Sequence, residues 1–155
     1  MKKKKTIKKK RNIKEDYKFT WIETWFLEKL EYKPNMVLEV YLIKGKKKPL
    51  EEVVVGKVSL GQAHPVVWDS RHRVVMRFFQ PLTFQRLDES FAFEKDGVFT
   101  GERYRLYSKS EYLNYYSKVT FGIVDQPIRH YSMACADDII DVLTTEPPEI
   151  EKIQR

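Results

Sequence analysis

Few side chains in this sequence could do chemistry, so they can be weighed one by one. The run DDIID gives Asp137, Asp138 and Asp141 the spacing that holds magnesium and diphosphate on the helices of prenyl-transfer enzymes. That chemistry needs a large helical cavity and a second acidic motif facing the first. A chain of 155 residues rich in strand-like runs does not supply them, so exposed turn and cap acids are expected here instead. His64, His72 and His130 lie at intervals of 8 and 58 residues, neither of which is a metal-ligand spacing. They read as three separate histidines, and neither a metal nor any other cofactor is expected. Cys135 could serve as a nucleophile with His130, but five residues apart on one strand the two side chains point to opposite faces. An isolated cysteine on an apolar face usually fills a core. Asp88, Glu89 and Ser90 adjoin in LDESFAF without a G-x-S-x-G elbow or a partner of fixed role. No catalytic residue is assigned, and the balance leans away from an enzyme.

The strongest charge feature is the opening MKKKKTIKKKRNIK, where nine of fourteen residues are basic and none is acidic. The net charge of the chain is +7, yet the 20 basic residues after position 14 face all 22 acidic ones, so the body carries −2. A domain that grips nucleic acid with its folded surface keeps a basic surplus there, because phosphate contacts supply much of the affinity. If phosphate is bound, the candidates are therefore Lys2, Lys3, Lys4, Lys5, Lys8, Lys9, Lys10, Arg11 and Lys14. Eight of these nine are lysines, and no aromatic residue accompanies them, so contact would be nonspecific and salt-dependent. A solvated arm without a ligand is the plainer reading, and residues 1–18 are expected to be a disordered basic tail.

A single cysteine forms no internal disulfide and suits a reducing compartment. The segment after the tail carries Asp16, Lys18, Glu23, Glu28 and Lys29 where a signal peptide needs an apolar run, and no stretch approaches the ~20 apolar residues of a membrane helix. The expected location is cytoplasmic.

Nine Tyr, nine Phe and three Trp, with arginines interleaved among the strand-like runs, leave a binding surface as the main functional expectation. Tyr, Trp and Arg dominate interface hot spots, although a small strand-rich core also uses aromatics to fill volume. The protein-interface candidates are Trp21, Trp25, Phe26, Arg71, Arg73, Arg103 and Tyr115. The favoured function is a non-enzymatic protein-binding protein, conceivably an immunity or inhibitor protein of a bacterial conflict system. The alternative is a nucleic-acid-associated protein anchored by its tail.

The elements that must position these residues follow from periodicity. Thr20 and Glu23 have capping-box spacing, and Trp21, Ile22, Trp25, Phe26 and Leu30 recur as one helical face, which predicts an aromatic amphipathic helix over 19–35. From Met36 the period shortens to two. MVLEVYLI and EEVVVGKVSL read as paired strands, VVWDSRHRVVMRFF as a hairpin turning at Asp69–Arg71, and the stretch from Phe84 to Tyr107 as a third hairpin turning at Asp96-Gly97. Gly56 suggests a bulge or a close backbone approach. Ser108 and Glu111 mark a short helix; IRHYSMACA is a further strand with Tyr131, Met133 and Cys135 on one face; DDIIDVLTT is a strand or helical turn. Pro147-Pro148 should end regular structure and leave 148–155 flexible. The expected fold is α+β: one β-rich domain over 36–147, a single mostly antiparallel sheet of meander-like hairpins with one or two short helices.

The stretches GKVSLGQAHPV, DESFAF, FTGERYRLYSKSEYL and HYSMACADDIIDVLTTEPPEI resemble a group of small bacterial proteins to which no activity is attached. The resemblance covers about residues 37–150 and implies no site, which leaves 1–35 as an extension particular to this protein or its subgroup.

Overall fold

Leu38, Val40 and Leu42 alternate with Glu39, Tyr41 and Ile43, so an extended chain sends the first three to one face and the others to the opposite one. That alternation builds the centre of the molecule. The computed structural model describes residues 22–92 and 97–153. Along them run β1 (Trp25–Lys33), β2 (Val37–Lys47), β3 (Glu51–Val55), β4 (Val58–Ala63), β5 (Val66–Phe79), β6 (Thr83–Asp88), a 3-10 turn (Glu89–Phe91), β7 (Gly97–Thr100), β8 (Tyr104–Ser110), α1 (Glu111–Val119), β9 (Arg129–Ala134), β10 (Asp138–Thr144) and β11 (Glu149–Ile153). The α+β class, mostly antiparallel with one short helix, is as expected from the sequence.

The strands form a sheet in the order β1-β2-β5-β11, a second sheet in the order β6-β10-β9-β8-β7, and a separate β3-β4 pair. In the first sheet Leu38 lies opposite Phe78, Val40 opposite Met76 and Leu42 opposite Val74. All six are buried, and with Tyr131, Met133 and Cys135 near β9 and Ile140 and Val142 of β10 they make one core. Two sheets therefore face each other across the core, which corrects the single meander. Burial of each large apolar side chain contributes roughly 1.5–3 kcal/mol, so this shared layer dominates stability.

Several local expectations are overturned. The segment from Trp25 to Lys33 is a strand, not a helix. Glu28 is an extra residue in its ladder with β2, since Leu27 pairs with Leu42 and Lys29 with Tyr41. A bulge resets the alternation. Trp25, Leu27 and Leu30 consequently all reach the core despite spacings of two and three, the pattern that imitates a helical face. VVWDSRHRVVMRFF does not turn at Asp69–Arg71. It is one long strand, β5, with residues 70–72 bulged between the rungs Ile43–Arg73 and Lys44–Asp69. EEVVVGKVSL is itself a hairpin: Val55 pairs with Val58, and Gly56, at φ 64°, takes the left-handed first position of a two-residue turn. Gly97 opens β7, whose turn into β8 falls at Gly101–Arg103, and β6 pairs with β10 instead of closing the third hairpin; Asp96 lies outside the described residues. After Pro147-Pro148 the chain does not trail off; β11 pairs with the open edge of β5, and Ile150 packs on the core. The predicted short helix is present, capped by Ser110 rather than Ser108.

The outer face of the first sheet carries a charge ladder. Buried Glu39 accepts from Lys33 Nζ at 2.7 Å, from the Tyr41 hydroxyl, and from Arg77 Nε at 2.9 Å. Arg77 also meets Glu151, and Arg73 meets Glu28, so β1, β2, β5 and β11 are linked in turn. The bonds from Lys33, Tyr41 and Arg77 outweigh desolvation and hold the Glu39 carboxyl at about 2, against an ordinary 4.5. A lowered folded-state value means stability that is present above the ordinary carboxylate range and lost as pH falls from about 4.5 towards about 2. Glu39→Gln should lower stability at neutral pH and flatten that acid limb, as read by urea unfolding across the pH range. An unchanged acid limb would remove Glu39 from this role.

Candidate functional site

Beyond the edges of β1 and β11, the strands β2 and β5 continue as a two-stranded ribbon. Lys44 to Lys47 pair with Asp69 to Val66, and the Lys48 amide donates to the Pro65 carbonyl at 2.8 Å. β3 and β4 carry the ribbon to its tip at Gly56-Lys57 and, among the described residues, make strand pairs only with each other. Gly56 lies eleven positions beyond Gly45, a reach of up to roughly 35 Å at the rise of an extended strand. Val54, Val55, Val58 and Leu60 are each more than half exposed, and Trp68 near the root is exposed as well. Lys46, Lys47 and Lys48 lie exposed at the root. An isolated two-stranded hairpin is marginal in water and rarely carries such apolar surface without a use.

The interface candidates do not converge into one patch. Trp25 is in the core, 7% exposed, and is corrected from an interface anchor to a packing residue, because the β1 bulge turns it inward. Phe26 is half-buried beside Trp68, with ring centroids 6.3 Å apart, and Arg71 is exposed on the β5 bulge; both sit near the arm's root. Arg71 is held by Asp69, whose carboxyl it and His72 keep far below the ordinary carboxylate range. Arg73 is half-buried against Glu28. Tyr115 is exposed on α1, and Arg103 lines a cleft on the second sheet. Trp21 and the phosphate candidates of the tail lie outside the described residues.

The histidines and acids weighed for chemistry also separate. His64 contacts the Lys48 carbonyl on the arm and His72 contacts Asp69, while Asp88 caps the 3-10 turn by accepting from the Ser90 amide. No group of three His, Cys, Asp or Glu side chains suited to a metal occurs among the described residues. Cys135 is buried, and that burial pushes its thiol up to about 12, so it stays protonated and packs as an apolar group. Asp138 and Asp141 are not exposed cap acids but buried residues of β10; Asp138 pairs with Arg86.

Sequence reasoning missed one buried constellation. On the outer face of the second sheet, His130 Nε2 lies 3.0 Å from Asp141 Oδ1, and Nδ1 lies 2.8 Å from Ser110 Oγ. Gln85 donates to the other Asp141 oxygen at 2.8 Å, and Ser110 Oγ accepts from the Leu113 amide at 3.1 Å. Each group is satisfied when Nε2 carries the imidazole proton and the serine hydroxyl donates to Nδ1. The order serine, histidine, aspartate is that of acyl-transfer enzymes, but Ser110 and His130 are buried, with Tyr107 stacked on the imidazole and Tyr112 edge-on to it. The serine oxygen serves as the helix cap, so the network clips α1 to the sheet. The three residues come from β8, β9 and β10, 20 and 11 positions apart, and no local motif announces them.

The chain matches no family model, no curated protein and no solved structure. No helix among the described residues is long and apolar enough to cross a membrane.

His130→Ala should cost about 3 kcal/mol, since it removes a buried hydrogen-bond partner from Asp141 and from Ser110 at once and leaves a cavity under Tyr107, and should lower the melting temperature by roughly 6–12 °C. Calorimetry checks this; a change within about 1 °C would mean that the clip carries no stability.

Proposed function

We propose that this protein is a binding module that engages another protein through the β3-β4 arm, and that it does no chemistry of its own. The supporting observation is the arm: a ribbon extended beyond β1 and β11, paired with no other strand among the described residues, with Val54, Val55, Val58 and Leu60 open to solvent. The exposed lysines at its root, Lys46, Lys47 and Lys48, favour a partner with an apolar groove rimmed by acidic side chains. Inhibition of that partner, in the cytoplasm, is the finer form of this reading, since an inserted arm blocks whatever the groove otherwise receives. The double variant Val55→Asp, Leu60→Asp should leave the melting temperature within about 2 °C, because surface changes away from the core cost little, and should abolish stoichiometric capture of the partner that the unaltered protein recovers from its native host. Retained capture by the variant, or self-association through the arm in light scattering, would defeat the proposal.

A second reading rests on cations. Lys46, Lys47 and Lys48 add exposed cations to the described surface beside the nine in the sequence of the tail, and a two-stranded ribbon fits a DNA groove. On this reading DNA is bound with little sequence preference, and log K falls with log salt by about 0.9 for each phosphate neutralised. Removing residues 1–14 should abolish binding in a salt titration; equal affinity of the truncated chain would show that the tail is not the contact.

A further inference from the structure

The described arginines divide into two groups. Arg71, Arg73, Arg77 and Arg86 each pair with a carboxylate, whereas Arg103, Arg105 and Arg129 form no such pair among the described residues. Arg103 and Arg105 line the same cleft of about 600 Å³, on the outer face of the second sheet between the 3-10 turn and the β7-β8 hairpin. Both are half-buried; Glu89 and Glu102 also line the cleft and are exposed to solvent.

Arg105 is fixed by neutral groups. Its Nε donates to the Glu102 carbonyl at 2.6 Å, Nη1 reaches the Tyr107 hydroxyl at 3.5 Å, and its Cζ lies 4.6 Å from the centroid of the Phe99 ring. These contacts set the guanidinium plane without cancelling its charge. The Arg103 carbonyl accepts from the Ala134 amide at 2.7 Å, which fixes the backbone that carries the second cation. Ser132 adds a hydroxyl from β9, directly opposite Arg105. One oriented guanidinium and a second arginine on a fixed backbone, neither in a salt bridge with a described carboxylate, suit an oxyanion beside aromatic walls, and a guanidinium fork matches carboxylate and phosphate oxygens alike.

We propose that this cleft binds a small organic oxyanion, a carboxylate or phosphate ester carried on a flat ring that lies along Phe99 and Tyr107. The site belongs to the sheet opposite the arm's root and stands or falls independently of the protein-binding reading. The test is amide chemical-shift mapping of the full chain with benzoate, phenyl phosphate, inorganic phosphate and, as a cationic control, benzylamine. Saturable shifts at Phe99, Arg103, Arg105 and Ser132 with benzoate or phenyl phosphate are expected, and whichever of the two binds more tightly identifies the oxyanion. Arg103→Gln and Arg105→Gln should each weaken binding by about tenfold or more while the spectrum keeps its dispersion. Shifts confined to residues 1–14, equal shifts with benzylamine, affinities unchanged in both variants, or no saturable shift at all would overturn the site.

Discussion

The eleven-rung pairing of β2 with β5 is the constraint on which the rest of the molecule depends. On its inner side it matches large apolar residues directly across the strands, and the opposing sheet closes on that surface. On its outer side the same rungs set Glu39 beside Arg77, which ties β1 and β11 to the centre through charge. Past both neighbours the pairing continues and becomes the arm. Core, charge ladder and proposed contact surface are successive segments of one antiparallel register, and a slip of one residue would invert all three.

The second sheet solves a different problem. Its inner face contributes to the core, while its outer face carries buried polar groups that need partners. At one end the Ser110–His130–Asp141 chain, closed by Tyr107, Tyr112 and Gln85, satisfies them beneath α1. Further along, the same face stays open. Tyr107 belongs to both regions, stacking on the histidine and lining the cleft, so the rigid clip also braces one wall of the open site.

Legibility in the sequence followed the regularity of the local period. VLEVYLI and HYSMACA alternate cleanly, so both strands were readable, as was the shared face of Tyr131, Met133 and Cys135; the short helix was readable too, with its cap placed two residues early at Ser108 instead of Ser110. WFLEKL was not, because one inserted residue, Glu28, shifts the phase of a strand and counterfeits a helical stripe. DSRHR looked like a turn because a bulge uses the same small and polar residues. The partners of β6, β10 and β11 depend on contacts distant in the chain, which no window of sequence contains. For the same reason the arm was visible only as strands, and its isolation was not. The arginines could be counted, but only the fold separates those cancelled by carboxylates from the two that face a cleft.

The strand order also bears on how the chain acquires its structure. β11 completes a sheet whose other members, β1, β2 and β5, lie at least 70 residues earlier in sequence, since its rungs join Glu149 to Arg77 and Ile153 to Arg73. On a ribosome that adds about 5–20 residues per second, the early strands wait several seconds with that edge open. Closing so long a loop is slow, and the search is dominated by non-local pairing. The bulge on β5 and the charged Arg73 and Arg77 along that edge are the kind of features that discourage a neighbouring nascent chain from docking there first. Features that look like ornament in the finished sandwich act as guards during its assembly.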